Sequence, residues 1–517
     1  MLERLRELPK HLAIYGAGDV AIQALNFLLL PLYIRYLTPA DYGVLALLAS
    51  VEATVKLFFR WGVDGAFMRF WYDHEERGRQ RLASTLFFFL LSANGVMLVL
   101  SVAAAPFISE RLLQSSGYTL ALQLVLLNTF AIGFTFIPFH VLRMQKRARE
   151  FSTLTLARSA STLVLRIILV MGAGLGLLGV VIADVIVTAA ILAVMVPLFA
   201  SLLRPTFSKA ILRQSLAFGL PRVPHGFALQ MMAVADRFVM TRYLSIQDIG
   251  VYSIGVTFGL IEKIVLGAFE YAWAPFYYAT AREPDAPRVF SLVATYGVAV
   301  LGLMTAGLSA IAADLLNVVT DGQYVAAAGV VTWTAVGVFF YGVYLLTSIG
   351  LNITGRTGYY PITTAIGAGV NITLNVVLIP RFGIIGAAWA NAAAYALQAS
   401  LAYGFSQHFY PVAYEYTRVS RAIVAALLGY AVAHALPAMP PIPGVLARGS
   451  TVVAVMATLL WLTRFFNSEE LRSLNRLRLR RRRTEEGLRE LDTTEFAGEI
   501  VAVDLREPAD RESAGLR

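Results

Sequence analysis

The 517-residue chain contains no cysteine, so it has no disulfides, thiolate metal sites or thiol nucleophiles, and its redox compartment leaves no mark. Charge is scarce: 15% of the residues are Asp, Glu, Lys or Arg, against roughly a quarter in soluble domains. The histidines His11, His74, His140, His225, His408 and His434 are scattered, with no HExxH or other metal-ligand spacing, and no GxxxxGK[ST] phosphate loop is present. No catalytic constellation stands out, no metal site is expected, and energy has to come from an ion gradient, the membrane potential or a partner. Apolar side chains are what the chain has in excess, at 57%. A soluble protein of this length has no room for that surface, because interiors divide into separate domains beyond about 250–300 residues. The excess faces lipid. Soluble enzymes, nucleic-acid binders and disordered chains are excluded.

A membrane span needs about 20 mostly apolar residues. The sequence predicts fourteen, near 11–35, 42–64, 82–106, 118–140, 154–173, 178–201, 214–241, 249–278, 289–313, 324–350, 360–380, 384–406, 419–436 and 445–466. The charged start 1–10 precedes a long apolar run without a small-residue cleavage site, which reads as an uncleaved first span. With that start inside, the inner loops carry sixteen basic residues and the outer loops five, the asymmetry of a cytoplasmic N-terminus. The net charge is +10, and none of that excess lies in the mixed-charge tail 467–517. The tail's basic run Arg476–Arg483 then also falls on the cytoplasmic side, as a solvated flank.

The chain repeats itself at a shift of 207 residues. Arg35-Tyr36-Leu37-Thr38 through Asp41-Tyr42-Gly43-Val44 aligns with Arg242-Tyr243-Leu244-Ser245 through Asp248-Ile249-Gly250-Val251. Leu175-Gly176-Leu177-Leu178-Gly179 aligns with Phe382-Gly383-Ile384-Ile385-Gly386 at the same shift. Six predicted spans lie within each copy, an even number, so both copies enter the membrane with one orientation. The expected architecture is an all-α polytopic membrane protein of 14 transmembrane helices. It comprises two parallel six-helix bundles, 11–203 and 214–406, joined by a cytoplasmic linker 204–213, with a C-terminal helix pair at 419–466 and a cytoplasmic tail at 467–517.

A charge within a span costs about 2.5–3.5 kcal/mol on insertion scales, and it ordinarily faces a cavity or a partner. Glu52, Lys56, Arg60 and Asp64 are spaced four apart and share one helical stripe, either as a self-neutralising ladder of i,i+4 pairs or as the lining of a lumen. Arg158 and Arg166 have no acidic residue in their own span, so their counter-charge comes from another helix, a lipid phosphate or a substrate. Arginine suits phosphate because its planar fork offers two parallel donors. Arg222 lies in Pro221-Arg222-Val223-Pro224-His225-Gly226, a helix-breaking stretch that fits either an inner mouth or a helix-entry turn. Lys56, Arg60, Arg158, Arg166 and Arg222 are therefore the candidate substrate-binding cations. Asp19, Glu52, Asp64, Asp236, Arg237, Glu262 and Glu270 are the candidates for proton or sodium coupling and for gating.

Asp236-Arg237-Phe238, Tyr243-Leu244, Asp248-Ile249-Gly250-Val251-Tyr252-Ser253-Ile254, Asn371, Asn375, Ile379 to Ala388 and Phe409-Tyr410-Pro411 carry a resemblance. Through them the chain resembles the polysaccharide transporter family of Wzx-type flippases, in the MOP superfamily with the MATE exporters and lipid II flippases. The resemblance implies a two-lobed transporter in the bacterial inner membrane that flips a polyprenyl-diphosphate-linked oligosaccharide by alternating access. The cargo would serve surface polysaccharide such as lipopolysaccharide O-antigen. It further implies a cationic lumen, membrane lipids and polysaccharide assembly proteins as partners, and no cofactor beyond a coupling ion. Two other readings stay open. One is a cation-coupled small-molecule exporter of the MATE kind; the other is a polytopic membrane enzyme of polysaccharide assembly, which the short outer loops disfavour.

Overall fold

The computed structural model describes residues 33–467, and among them every regular element is helical. The first half runs α1 (Pro39–Arg60), α2 (Val63–Trp71), α3 (Glu76–Leu112), α4 (Thr119–Met144), α5 (Ala148–Ile167) and α6 (Gly176–Leu202). A π-helical turn at Ile168–Gly172 closes α5. The second half begins with α7 (Lys209–Gly219) and a 3-10 turn at Leu220–Arg222, then α8 (Val223–Tyr243), α9 (Ile246–Gly259) and α10 (Ile261–Thr280). It continues with α11 (Ala286–Thr320), α12 (Ala328–Thr347), α13 (Ile349–Ile353), α14 (Tyr359–Phe409), α15 (Tyr416–His434) and α16 (Pro441–Leu462). The chain separates into units Met1–Met456 and Ala457–Arg517; of the second, the described residues are the end of α16 and the turn after it.

The repeat is physical. Thr38 caps α1 by accepting the Asp41 amide at 3.2 Å, while the Asp41 carboxylate accepts the Thr38 amide at 2.9 Å. Ser245 and Asp248 build the same capping box at the start of α9, with both bonds at 3.2 Å. These two helices cross through equivalent glycines. A Cβ on Gly43 would stand 1.9 Å from the Ile246 carbonyl oxygen, and one on Gly250 would stand 1.8 Å from that of Pro39. Small residues let membrane helices approach backbone to backbone in this way. The second matched stretch behaves likewise: Gly176 and Gly383 both hold positive φ, at 51° and 59°.

Apolar side chains such as Val96, Val99, Leu100 and Phe107 on α3 are 62–68% exposed, the surface of a protein solvated by lipid. This is a multi-pass membrane protein. The count of fourteen spans, however, does not hold. Nine helices among the described residues are long and apolar enough to cross a membrane, or ten if the pair α9 and α10, bent by 42°, is one span. Span 11–35 falls outside the described residues except at its end. The expected spans 360–380 and 384–406 lie on the two arms of α14, which are parted by a kink at Gly383 (φ 59°, ψ −139°) and fold back so that Asn371 meets Asn391 at 3.0 Å; the 51-residue stretch as a whole is one of the nine. The expected span 214–241 is cut at Leu220–Arg222, and its longer piece α8 is diluted by Asp236, Arg237 and Arg242. α15 carries Arg418 and Arg421 near its start and is not among the nine.

Nor do two separate six-helix bundles describe the packing. One hydrophobic core takes Val44, Leu47, Leu122 and Leu126 from the first half together with Tyr252, Val330, Ile379 and Ala387 from the second. The two copies of the repeat share an interior where α1 meets α9, because the glycine crossing draws them within contact.

Candidate functional site

Polar groups inside the membrane helices gather in two places. In the first half, α1 presents Glu52, Lys56 and Arg60 one turn apart. The helix then breaks, with Trp61 and Gly62 both left-handed, so Asp64 belongs to α2 rather than to one unbroken stripe. Arg60 still reaches Asp64 across the break at 3.5 Å. α5 adds Arg158 and Arg166, and α6 adds Asp184.

Arg166 has the interhelical counter-charge that its own span lacks. Its Nε and Nη2 donate to the two Asp184 oxygens at 3.0 and 2.7 Å, a forked pair with side chains 31% and 27% exposed. Asp184 did not figure among the sequence candidates. The available signal was a single carboxylate in the otherwise uncharged run of α6. Asp184→Asn is expected to lower the thermal stability of the purified protein, and adding Arg166→Gln to return part of the loss. A coupling of about 0.5–3 kcal/mol in the double-mutant cycle checks the pair, and strictly additive losses would refute it.

Lys56 and Arg158 are placed differently. Both are half-buried, and neither has a carboxylate oxygen within ion-pair distance among the described residues. Lys56 feels the like charges of Arg60 and Arg158 as well as Glu52, and Arg158 feels Asp184 and Glu52. Four cations, Lys56, Arg60, Arg158 and Arg166, thus share a neighbourhood with three carboxylates, Glu52, Asp64 and Asp184. Arg222 stands at the entry to α8, exposed, with its guanidinium 4.1 Å over the Phe218 ring and beside Gly65 of α2. Asp19 lies outside the described residues.

The second cluster ties α8, α9 and α14 together. Asp236 is 1% exposed. Its carboxylate accepts from the Arg237 backbone amide at 2.7 Å, from Arg237 Nη1 at 3.0 Å, from Asn391 Nδ2 at 3.1 Å and from the Tyr252 hydroxyl. Asn391 in turn accepts from Asn371, and Asn371 from Asn375, each at 3.0 Å. The repeat makes Asn391 the counterpart of Asp184, so the same position carries an interhelical polar contact in each half. Tyr252 lies within a matching sequence motif and Asn391 within none, and only the fold shows that both close on Asp236.

Neighbouring Glu262 and Lys263 diverge. Glu262, 1% exposed, accepts from the Thr305 hydroxyl of α11 at 3.0 Å. Lys263 lies 5.3 Å over the Tyr341 ring and, with Arg237, lines a cavity of about 160 Å³. Glu270 lines a second cavity of about 400 Å³ walled by Trp273, Tyr277, Tyr344 and Tyr360. Tyr341 borders both. Among the described residues no three His, Asp or Glu side chains are grouped to hold a metal ion.

Comparison with known proteins bears on this arrangement. A family model described as a polysaccharide biosynthesis protein matches residues 32–319, more than half of the chain. An uncharacterized membrane protein of Methanocaldococcus jannaschii is 25% identical over 403 residues, 70% of this chain and 76% of that one. A structure of the lipid II flippase MurJ in an inward closed conformation superposes with a TM-score of 0.67 at 14% identity, over 86% of this chain and 98% of that one. An inward-facing multidrug resistance MATE transporter of the MOP superfamily gives 0.56 at 15% identity, over 77% and 95%. At such identities the structural likeness is one of fold. The chain belongs to the polysaccharide biosynthesis protein family and has the fold of the MOP superfamily.

Proposed function

We propose that this protein carries a polyprenyl-diphosphate-linked oligosaccharide from the inner to the outer leaflet of the bacterial cytoplasmic membrane, by alternating access, for surface polysaccharide synthesis. The observation that carries this reading is the gathering of four cations, Lys56, Arg60, Arg158 and Arg166, with only three carboxylates, Lys56 and Arg158 being half-buried and without a carboxylate oxygen at ion-pair distance among the described residues. Holding like charges in a low-dielectric region is unfavourable unless an anion completes the site. A lipid diphosphate is that anion, and its sugars would occupy water while its polyprenyl tail stays in hydrocarbon. The lipid II flippase MurJ has the same fold. The reading involves no bond-making step, and a proton or sodium gradient would supply the energy, with Glu52, Glu262 and Glu270 as the described candidates. The loop charges support cytoplasmic N- and C-termini.

Deleting the gene tests the reading. Lipid-linked repeat units are expected to accumulate, resistant to an impermeant glycan-modifying reagent applied from outside, and complementation should restore their labelling. Normal labelling in the deletion strain would refute it.

A further inference from the structure

The two cavities that meet at Tyr341 have complementary chemistry. On one side Lys263 has no carboxylate within ion-pair distance among the described residues. Arg237 spends only its Nη1 on Ala233 and Asp236, leaving Nε and Nη2 without a hydrogen bond among the described residues. Asp236 itself is turned into the Tyr252–Asn391 network. That side carries two cations, Lys263 and Arg237, against one lining carboxylate, Asp236, whose oxygens are already engaged. On the other side the walls are flat and aromatic. Tyr341 and Tyr344 stack with ring planes 22° apart and centroids 6.0 Å apart, and the Trp273 indole is pinned by a 3.2 Å bond to the Leu345 carbonyl. Neutral hydrogen-bonding groups edge these walls: Ser348, Asn352, Thr364 and Gln398. Gln398 donates to Thr364 at 3.2 Å, and its own carbonyl oxygen carries no hydrogen bond among the described residues. Glu270 supplies one carboxylate as a further acceptor.

Flat rings take the C–H face of a pyranose, and planar amide and carboxyl groups take its hydroxyls, as pockets of this size combine apolar walls with a few placed polar groups. The adjoining Lys263 and Arg237 then take a negative substituent on the same sugar. We propose that these two cavities, which share Tyr341 as a wall, together bind an anionic pyranose, a sugar carrying a carboxylate or phosphate, as a residue of the transported glycan. The assignment of the sugar to the cargo rests on the flippase reading; the binding site itself rests on the geometry. A cationic ligand fits the aromatic half but meets Lys263 across a single ring.

The test is equilibrium binding to the full chain in detergent micelles, followed by calorimetry, with glucuronate, glucose 1-phosphate, glucose, inorganic phosphate and tetraethylammonium as separate probes. Glucuronate or glucose 1-phosphate is expected to bind with a dissociation constant on the order of millimolar or below, at least about tenfold tighter than glucose. Which of the two binds tighter separates a carboxylate from a phosphate source. Lys263→Ala should remove that advantage and Lys263→Arg should restore it, while Tyr344→Ala should weaken both anionic and neutral sugars. All variants are to be compared at matched monodispersity, so that a misfolded variant is replaced by the Lys263→Arg comparison. Equal binding of glucose and glucuronate, binding of inorganic phosphate as tight as that of the sugars, tetraethylammonium binding in their stead, or no binding of any sugar would each overturn the proposal. Sugar binding in a protein whose deletion leaves the glycan exposed normally would instead retain the subsite and remove the flippase reading.

Discussion

Gly250→Val is expected to yield a chain that fails to form a monodisperse particle, or that melts at least about 10 °C below the parent, as the cost of an overpacked core. The reason is steric and local. The Cβ alone would lie 1.8 Å from the Pro39 carbonyl oxygen, and 2.9 Å from the Gly43 backbone nitrogen. Ordinary overpacking costs about 1–3 kcal/mol because side chains shift to new rotamers. Here the obstacle is backbone, so α1 and α9 have to separate, and the core that takes Val44 and Leu47 from one and Tyr252 from the other opens with them. The Thr38–Asp41 and Ser245–Asp248 boxes hold the two helix starts in register and leave little play. Gly95→Ala is the opposing case. Nothing lies within 4 Å of a Cβ there, and alanine is the better helix former, so stability should be unchanged or rise slightly. Thermal unfolding of the two purified variants distinguishes a crossing that requires glycine from a general sensitivity to substitution.

That crossing shows what was legible in the sequence. The 207-residue shift placed Gly43 opposite Gly250, Gly176 opposite Gly383, and the two capping boxes opposite each other, and all of these pairs adopt matching geometry. The family resemblance, drawn from motifs around Asp236 and Ile379, is borne out by the match over residues 32–319. Span counting failed where hydropathy is a poor guide to helix ends. The expected boundary at Gly383 coincides with a kink, φ 59° and ψ −139°, that parts the two arms of α14, whereas the expected span 214–241 is cut in two by the turn at Leu220–Arg222. Likewise Trp61 and Gly62 interrupt a charged stripe that looks continuous at i,i+4 spacing. Pairing between helices was legible least of all. Arg166 showed that a counter-charge had to exist, but its owner, Asp184, is 18 residues away on another helix and is fixed only by packing. The same holds for Asp236, whose partners Tyr252 and Asn391 come from α9 and α14.

Reversing one charge in the first-half cluster should affect transport far more than stability. The cluster sets Lys56, Arg60, Arg158 and Arg166 against Glu52, Asp64 and Asp184, an excess of one positive charge; Lys56→Glu turns it into an excess of one negative. At about 8 Å and an effective dielectric near 20, two unit charges interact by roughly 2 kcal/mol, so reversal changes the energy of a bound phosphate by about twice that. Water in the site and added salt reduce the figure. A fall in export of at least about tenfold per molecule is expected for Lys56→Glu, and a similar fall for Arg158→Glu, with Lys56→Arg close to the parent. Stability should change little, because Lys56→Glu exchanges repulsion from Arg60 and Arg158 for attraction while turning the attraction to Glu52 into repulsion. A structural role predicts the reverse pattern: melting temperature and abundance would fall together with export, and Lys56→Gln would be as harmful as Lys56→Glu. Export normalised to folded protein therefore separates the two. Unchanged normalised export in both reversals would leave these cations without a part in receiving the cargo.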